Sequence, residues 1–518
     1  MTVEPIRVNR SLPLVFAMTA LLYLPAVRYG YVQDDRAIVV ANPAAHSIGA
    51  AVRAFDQPYW PAPSEAGLYR PVTILSLAVD WSIAGGRPWW PHLVNALWHG
   101  LASVLLVLIL ARWLPPLASV AAGLVFAVHP VHVEGVANIV SRNELLAAVG
   151  IFAAVLAARQ HWWIVTVVCA GLAMLSKENA IVVGGLILLD DWLRPEGQPG
   201  YPRRLYGALG FVTVAFLVLW MQVGRSATAD VAAPFLGAGL GQRLAMALPA
   251  LARATALLFW PVSLSVDYNP QVIPYRTSIS FVAILGAGIA LLVLLGGFAA
   301  RRRAPALCFA ALGTALAYLP TSNFLFPVGV VLAERNLYLT VLLPATLAGL
   351  GVAWALARWE RPPVLVPIAL VLGALAARTL YRLPAWTDNR AFLLTLLMDH
   401  PESYRGQQSA AAVFAGMGGT AEARAAYARA DSLFGRDPHL QAAYAYYLVG
   451  LGDTIKAAPL AREARRRLPR ERVAMRVEYL LARERLEPER AQALRDSAQH
   501  WFPFERGWYD ATAPPPAP

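Results

Sequence analysis

Residues 281–300 read FVAILGAGIALLVLLGGFAA, a run without a charged side chain that stops at three consecutive arginines, 301–303. About 20 apolar residues are enough for a helix to cross a lipid bilayer. Comparable runs recur from Leu12 to Leu380, and the chain as a whole is 58% hydrophobic and only 15% charged. Such a composition is too apolar for a soluble protein of 518 residues. The sequence therefore predicts an all-α, polytopic membrane protein.

Basic residues mark the turns between the apolar runs, as in Arg112, Arg159 and residues 301–303. Cytoplasmic loops of membrane proteins carry this excess of arginine and lysine. We therefore expect about eleven spans, at residues 12–29, 93–111, 117–130, 144–158, 162–176, 179–193, 205–223, 281–300, 305–320, 337–357 and 363–380. An odd number of spans that begins in the cytoplasm places the C-terminal region outside it.

Residues 244–266 are also apolar enough to count as a span. Another crossing would put the arginines 301–303 outside and reverse the side of the C-terminal region. We therefore interpret residues 244–266 as a re-entrant segment or as one that lies along the outer surface.

After residue 380 the composition changes to alanine, arginine and glutamate with helical spacing, and similar residues recur every 34 positions. The recurring residues are Gly418 and Gly452, Ala423 and Ala457, Ala430, Ala464 and Ala498, and Pro469 and Pro503. This is the tetratricopeptide period, in which small residues let paired helices pack closely. We predict a membrane domain at 1–380, helical repeats at 381–510 and a disordered tail at 511–518; an unrelated alanine-rich bundle is the alternative for the repeats.

Two adjacent carboxylates, Asp34 and Asp35, follow the first apolar run. Acidic side chains at the end of a membrane helix are costly to keep near hydrocarbon, so they indicate a functional site, although a solvated loop or a helix cap is the plainer explanation. They open a predicted first external loop, residues 31–91. Within it, residues 72–83 have the character of an interfacial helix that ends at Gly85-Gly86.

Further polar residues are predicted at the same side of the membrane. Lys177 and Arg335 suit a phosphate oxygen, with ion pairs to Glu178 and Glu334 as the plainer alternatives. His129, His132 and Glu134 offer metal-ligand chemistry, but they lack the spacing of a defined zinc motif. A hydrogen-bonding or substrate-positioning role is therefore the better interpretation of the two histidines, and we expect no metal.

Several motifs of the chain, taken in order, resemble one known family, the transmembrane and tetratricopeptide-repeat O-mannosyltransferases. These motifs are Val32-Gln-Asp-Asp-Arg-Ala-Ile38, Tyr69-Arg-Pro71, His92-Leu-Val-Asn95, His129-Pro-Val-His-Val-Glu134, Arg142-Asn-Glu-Leu145, Leu175-Ser-Lys-Glu178 and Glu334-Arg-Asn-Leu-Tyr338. The resemblance implies a GT-C glycosyltransferase fold, a polyprenyl-phosphate sugar, such as mannose, as donor, and a protein serine or threonine as acceptor on the extracytoplasmic face. The short repeat region departs from the long arrays of animal members and suggests a bacterial relative, in the inner membrane.

The expected chemistry gives roles to these residues. Sugar transfer needs a base for the acceptor hydroxyl, for which we choose Asp34, with Asp35 orienting a substrate or sharing the role. Fixed cations would stabilise the departing phosphate. We assign the donor phosphate or sugar to Lys177, Arg335, Arg142, Glu178, Glu334 and Tyr338. We assign the positioning of the acceptor to Arg70, His129, His132, Glu134, Asp267 and Tyr268. Direct displacement would invert the sugar carbon, and no cofactor is expected.

Two other classes of function remain open at this point. The repeats would also suit a membrane-anchored scaffold without catalysis, whose concave surface recruits partners. A transporter or flippase would show internal symmetry and polar segments at mid-membrane depth, and neither is visible. The net charge of +12 is spread over membrane-edge loops and the C-terminal region, so it does not indicate nucleic-acid binding.

Overall fold

The computed structural model describes residues 8–62, 67–224, 231–268, 270–359 and 361–512, except for the side chains of 361–363. Helices make up the regular structure of this described part, and it contains no strand. In chain order the helices up to residue 382 are α1 (Leu12–Leu22), α2 (Ile48–Arg53), α3 (Pro71–Ala84), α4 (Trp89–Leu110), α5 (Pro116–Val128), α6 (His132–Ala137), α7 (Arg142–Arg159), α8 (Trp163–Ser176), α9 (Val183–Trp192), α10 (Arg203–Val223), α11 (Leu240–Phe259), α12 (Phe281–Ala300), α13 (Pro305–Tyr318), α14 (Leu342–Leu356) and α15 (Arg361–Arg382). The predicted all-α class is confirmed.

Six helical segments among the described residues are long and apolar enough to cross a membrane. They are Trp89–Leu110, Ile139–Arg159, Arg203–Val223, Phe281–Ala300, Leu339–Leu356 and Val364–Trp386, and each overlaps a predicted span. Shorter apolar helices cover much of the remaining predicted spans, among them α1, α5, α8 and α13. An integral membrane protein is supported in this way, while the count of eleven crossings stays a prediction.

The long segments differ in how much of their surface is buried by other helices. α4 and α7 are largely enclosed and α14 is nearly half enclosed, whereas α10, α12 and α15 turn most of their apolar surface outward. Alanine and glycine allow the close contacts at the centre: Gly349 of α14 lies against the backbone of Ala118 in α5, where a Cβ would come within 2.8 Å of the carbonyl oxygen. The enclosed helices therefore form the core that carries the loops described below.

Two segments between the long helices were harder to interpret from sequence. Residues 72–83, predicted as an interfacial helix, lie in α3, which begins at Pro71 and ends at Gly85 with a φ of 60°. Proline suits the first turn of a helix, and glycine suits the left-handed residue that ends it. Residues 244–266 overlap α11, a regular 20-residue helix with Pro249 inside it, which is not among the six candidate spans.

The C-terminal region consists of further helices, and consecutive ones pack in pairs. They are α16 (Asn389–Asp399), α17 (Tyr404–Gly416), α18 (Thr420–Phe434), α19 (Pro438–Gly450), α20 (Thr454–Arg467), α21 (Arg472–Glu484), α22 (Pro488–Trp501) and α23 (Arg506–Thr512). The pairs are α17 with α18, α19 with α20, and α21 with α22. Ala511 and Thr512 belong to α23, so the prediction of a disordered tail from residue 511 is wrong at these two positions; residues 513–518 lie outside the described residues.

The 34-residue spacing has a backbone explanation. Gly418 and Gly452 lie between the helices of the first two pairs, with φ values of 80° and 75°. At the equivalent position of the third pair, Leu486 has a φ of 58°. A side chain in this left-handed region costs roughly 1–2 kcal/mol, because its Cβ crowds the backbone. The third pair therefore keeps the turn without the glycine that favours it.

We expect Leu486→Gly to stabilise the C-terminal region by about 1 kcal/mol, because glycine adopts a positive φ without strain. The leucine side chain is 86% exposed, so little packing is lost. Thermal unfolding of the purified protein, followed by loss of helical signal, measures the change. The matched reverse variant is Gly452→Ala, which should lower stability, since no atom would touch the new Cβ and only the backbone strain remains. Equal melting temperatures in both variants would contradict the explanation.

Candidate active site

The two adjacent aspartates occupy different environments, because the chain turns sharply before them. Gln33 has a φ of 49°, an uncommon value for a residue with a side chain, and a short helical segment, Arg36–Val40, starts directly after Asp35. The Asp35 side chain is fully buried, whereas Asp34 is only half-buried. The pair therefore presents one carboxylate to the interior and one to the surface of the site.

Asp35 joins the first loop to the start of the helical segment that contains α7. Its Oδ2 accepts the Val32 N–H at 3.0 Å, and its Oδ1 accepts the Val140 N–H at 2.9 Å. Burial raises the pKa of Asp35 to about 7, although these hydrogen bonds oppose the shift. Because both oxygens are already used, Asp35 is suited to positioning the loop.

Asp34 is the carboxylate that remains available. No hydrogen bond holds its oxygens within the described part of the chain. Burial raises its pKa, the Arg335 guanidinium opposes this rise, and the Glu134 carboxylate adds to it. A half-buried carboxylate with a raised pKa and no fixed partner has the properties of a general base.

Arg335 and Glu134 form the ion pair nearest to Asp34. The Arg335 backbone N–H donates to Glu134 Oε2 at 2.9 Å, and the guanidinium contacts the other oxygen of the same carboxylate. Glu134 belongs to the short helix α6. The ion pair between Arg335 and the adjacent Glu334, which the sequence offered as an alternative, is therefore wrong. The Arg335 side chain keeps 30% of its surface exposed while it is paired with Glu134.

Lys177 also has a partner other than the adjacent residue. Its ammonium pairs with Glu144 of α7 and donates to Asn336 Oδ1 at 3.1 Å. Glu178 pairs instead with Arg70, at 2.9 Å between Oε2 and a guanidinium nitrogen. Both Lys177 and Glu144 are buried, and burial lowers the pKa of Lys177. The Lys177 ammonium is thus committed to two neighbours before any ligand arrives.

Arg142 is enclosed completely and all three of its nitrogens donate. It pairs with Asp80 of α3 at 2.7 Å, donates to Ser76 Oγ at 2.8 Å and to the Pro91 carbonyl at 2.9 Å, and contacts Asn95. A ligand at the surface of the protein could not reach this guanidinium without breaking these hydrogen bonds. The geometry gives Arg142 the part of a cross-link between α3, α4 and α7, and not that of a phosphate ligand.

The predicted histidines are buried and bonded to backbone carbonyls. His129 Nε2 lies 3.0 Å from the Leu258 oxygen, and His132 Nε2 lies 3.0 Å from the Tyr338 oxygen. Burial lowers the pKa of His132 well below its ordinary value. The Tyr338 hydroxyl, predicted to contact the donor, bonds His99 at 2.6 Å. Among the described residues no three histidine, cysteine or acidic side chains come together as a metal site.

The remaining predicted residues connect the site to later parts of the chain. Glu334 accepts the Tyr268 hydroxyl and the Ser265 N–H, both at 2.7 Å, and burial raises the pKa of Glu334 to about 7. Asp267 forms an ion pair at 3.5 Å with Arg405, the second residue of α17. The C-terminal helices therefore touch the candidate site. Arg405 was not anticipated from the sequence, because nothing in a repeat helix marks a residue that faces another domain.

Comparisons with known proteins bear on this arrangement of residues. A family model described as dolichyl-phosphate-mannose-protein mannosyltransferase matches residues 70–221. The protein O-mannosyl-transferase Tmtc1 of Drosophila melanogaster is 28% identical, over 75% of this chain and 58% of its own length. Human TMTC3 is 26% identical, over 64% of this chain and 41% of its own length.

One solved structure that matches the chain is that of ArnT from Cupriavidus metallidurans bound to undecaprenyl phosphate. It has 15% sequence identity and a TM-score of 0.36, over 87% of this chain and 74% of that one. The chain spans about two fifths to three fifths of the length of the two curated relatives described above. The sequence matches confirm the predicted resemblance: the chain is similar to proteins named protein O-mannosyl-transferases.

Proposed function

We propose that the protein is a membrane glycosyltransferase that moves a sugar, mannose by analogy with its relatives, from a polyprenyl phosphate to a hydroxyl group of a protein. The observation that carries the proposal is the Asp34 carboxylate, half-buried, without a hydrogen bond in the described residues and beside the Arg335–Glu134 ion pair. A base and a partly exposed cation are the two groups that transfer from a lipid phosphate requires. The sequence relatives are named protein O-mannosyl-transferases, which supports this reaction over others.

The reaction follows from the two groups. Asp34 takes the proton of the acceptor hydroxyl as that oxygen attacks the anomeric carbon of the sugar. The bond from this carbon to the phosphate oxygen breaks, and its electron pair leaves with the lipid phosphate. Arg335 lies on the side where negative charge develops, and Asp35 holds the loop that carries Asp34. One displacement of this kind inverts the sugar carbon.

The topology belongs to the same proposal. Eleven crossings, from a cytoplasmic N-terminus, place Asp34 and the helices after residue 382 on the extracytoplasmic face. The helix pairs α17–α18, α19–α20 and α21–α22 have the 34-residue spacing of tetratricopeptide repeats, and the repeat alanines Ala423, Ala457 and Ala464 are fully buried between helices. Repeats of this type present a curved surface to an extended polypeptide. In this role they select the acceptor and perform no chemistry.

The direct test is a purified-protein assay with a panel of polyprenyl-phosphate sugars and a serine- and threonine-rich acceptor peptide. Release of the lipid phosphate and sugar incorporation are followed together. Turnover of one donor supports the transferase. Absence of turnover with every donor, together with peptide binding by the C-terminal helices, would favour the membrane-anchored scaffold instead.

We expect Asp34→Asn to lower kcat by about 10²–10⁴-fold, the usual contribution of a general base, with the melting temperature unchanged. Asp56→Asn is the matched control, because Asp56 is an exposed aspartate of the same loop. Asp35→Asn should also lower the melting temperature, unlike Asp34→Asn and Asp56→Asn. A side-chain amide has a single oxygen, so it cannot replace the two carboxylate oxygens that each accept a backbone N–H group. Full activity in Asp34→Asn would exclude it as the base.

The pH dependence of kcat/KM should show an acid limb. A base must be ionised, and burial raises the pKa of Asp34, so activity is lost as the pH falls through that raised value. The midpoint should lie above about pH 4, the ordinary value for an aspartate. Asp35 also has a raised pKa, so the profile is repeated with Asp35→Asn. The acid limb should persist in Asp35→Asn. Its disappearance in this variant would mean that Asp35, and not Asp34, is the titrating group.

The side of the C-terminal helices is measured by thiol labelling. Ser432 is exposed on α18, and a cysteine at this position should react with a membrane-impermeant reagent in intact cells, after Cys169 and Cys308 are replaced by alanine. A cysteine at Glu196, exposed in the predicted cytoplasmic turn after α9, should react only after the cells are opened. If the cysteine at Ser432 also reacted only after the cells are opened, the C-terminal helices would lie inside, the proposed topology would be overturned, and α11 would become a crossing helix.

A further inference from the structure

A second charged region lies beside the candidate active site, at the ends of α15 and α16. It surrounds a cavity of about 380 Å³ that is lined by Val262, Ser263, Leu264, Arg378, Tyr381, Arg382, Asp399 and His400. The Arg382 guanidinium also lies close enough to Glu334 to oppose the rise in the pKa of Glu334. Glu334 is the residue before Arg335. The cavity is therefore a neighbour of the candidate active site, although none of its lining residues was assigned a role above.

Two arginines in this cavity have hydrogen-bond donors that the protein does not use. Arg378 donates one N–H to the Val262 carbonyl at 2.7 Å, but its Nη1 is buried without an acceptor in the described residues. Arg382 lies 2.8 Å from Asp399 in an ion pair, and 6% of its side chain is exposed. Its Nε and Nη2 still have no acceptor with hydrogen-bond geometry among the described residues. Buried donors of this kind normally have partners, so an acceptor is missing here.

The contrast with the cations of the candidate active site is informative. Arg70, Arg142, Lys177 and Arg335 each donate a hydrogen bond to a carboxylate from another part of the chain. In the cavity, two guanidinium groups face one carboxylate, that of Asp399. Together with at least two unused donors, Arg378 Nη1 and Arg382 Nε, this is the composition of a site for a group with several anionic oxygens.

The surface next to the cavity suits a hydrocarbon chain. Trp260, Val262, Leu380 and Tyr381 are exposed by 74%, 53%, 45% and 80%. Arg378 and Arg382 lie near the end of the candidate span Val364–Trp386, where the headgroup level of a bilayer is expected. Tryptophan and tyrosine are enriched at that level. An anionic group in the cavity could thus continue into an apolar tail along α15 without leaving the membrane.

We propose that this cavity binds the phosphate group of the polyprenyl lipid, with Arg378 and Arg382 as its ligands and the prenyl chain lying against the exposed apolar surface of α15. The inference rests on the proposed function and assigns the donor phosphate to a site other than Lys177 and Arg142. The phosphate oxygens accept the unused N–H groups, and the leaving lipid phosphate stays bound there after the sugar has moved. Arg335 then faces the sugar side of the same phosphate.

The test measures binding of polyprenyl phosphate without a sugar to the purified full-length protein in detergent, by native mass spectrometry. Arg378→Gln should weaken binding at least 10-fold, and Arg378→Lys should restore part of it through the charge. Arg390→Gln is the matched control, because Arg390 is an exposed arginine in the first turn of α16 and does not line the cavity. Melting temperatures verify that each variant is folded. Equal binding by wild type, Arg378→Gln and Arg390→Gln would overturn the assignment.

Two competitors identify the ligand. Inorganic phosphate and a short-chain phosphatidylglycerol are added in tenfold excess over polyprenyl phosphate. The proposal expects neither to displace it; displacement by inorganic phosphate would mean a site for a soluble anion, and displacement by phosphatidylglycerol would mean a site for any anionic lipid. Failure here is separable from failure of the proposed function. An active wild type whose donor KM is unchanged in Arg378→Gln overturns the cavity alone, whereas a wild type that binds the lipid and never transfers sugar overturns the transferase alone.

Discussion

The structure depends on one constraint: a charge withdrawn from water at the end of a membrane helix must be paired. Removing one partner of a buried ion pair typically costs about 3–5 kcal/mol, because the other charge is left alone in a medium of low polarity. The pair between Arg142 and Asp80 illustrates the consequence. The two residues are far apart in sequence, and their contact holds α3 against α7. The loops that bear the candidate site are therefore held by charges and not only by apolar packing.

The same constraint decides which groups remain for chemistry. Lys177 and Arg70 are each bound to a carboxylate, and Asp35 is bound to two backbone N–H groups. Asp34 stands apart among the acidic residues of the site because the surrounding structure does not hold its oxygens. Arg378 and Arg382 differ from the other cations because some of their N–H groups have no acceptor among the described residues, although Arg382 is paired with Asp399. In the proposed reaction, a base without a fixed partner suits the acceptor hydroxyl, and donors without an acceptor suit the phosphate of the lipid-linked sugar.

The sequence was sufficient for the parts of the fold that periodicity and composition encode. The apolar run 281–300 is helix α12, and the helix predicted from residues 72–83 ends at Gly85, where a left-handed residue is required. It was not sufficient for partners. Lys177 precedes Glu178, but the two side chains are bound to different elements, since consecutive residues at the start of a helical turn point in different directions. Adjacency along the chain therefore predicted the wrong ion pairs.

The candidate site was predictable as a set of residues but not as a set of roles. Asp34 and Asp35 look equivalent in sequence, and only the contacts with Val32 and Val140 separate a positioning carboxylate from an available one. The sequence did not predict contacts between residues that are far apart in the chain either. Arg405 belongs to α17 and yet pairs with Asp267, which lies between α11 and α12. Likewise the Gln33 N–H, one residue before Asp34, donates to Asn389 Oδ1 at 2.7 Å.

These two contacts give the C-terminal helices a physical connection to the candidate site and to the loop that carries Asp34. Asn389 begins α16, and its bond to Gln33 holds the residue whose left-handed backbone turns Asp34 toward the surface. A polypeptide bound along the repeat helices would therefore lie on an element that is already anchored beside Asp34. If the repeat helices select the acceptor and Asp34 is the base, as proposed, the hydrogen bond between Gln33 and Asn389 connects the two regions without a conformational signal.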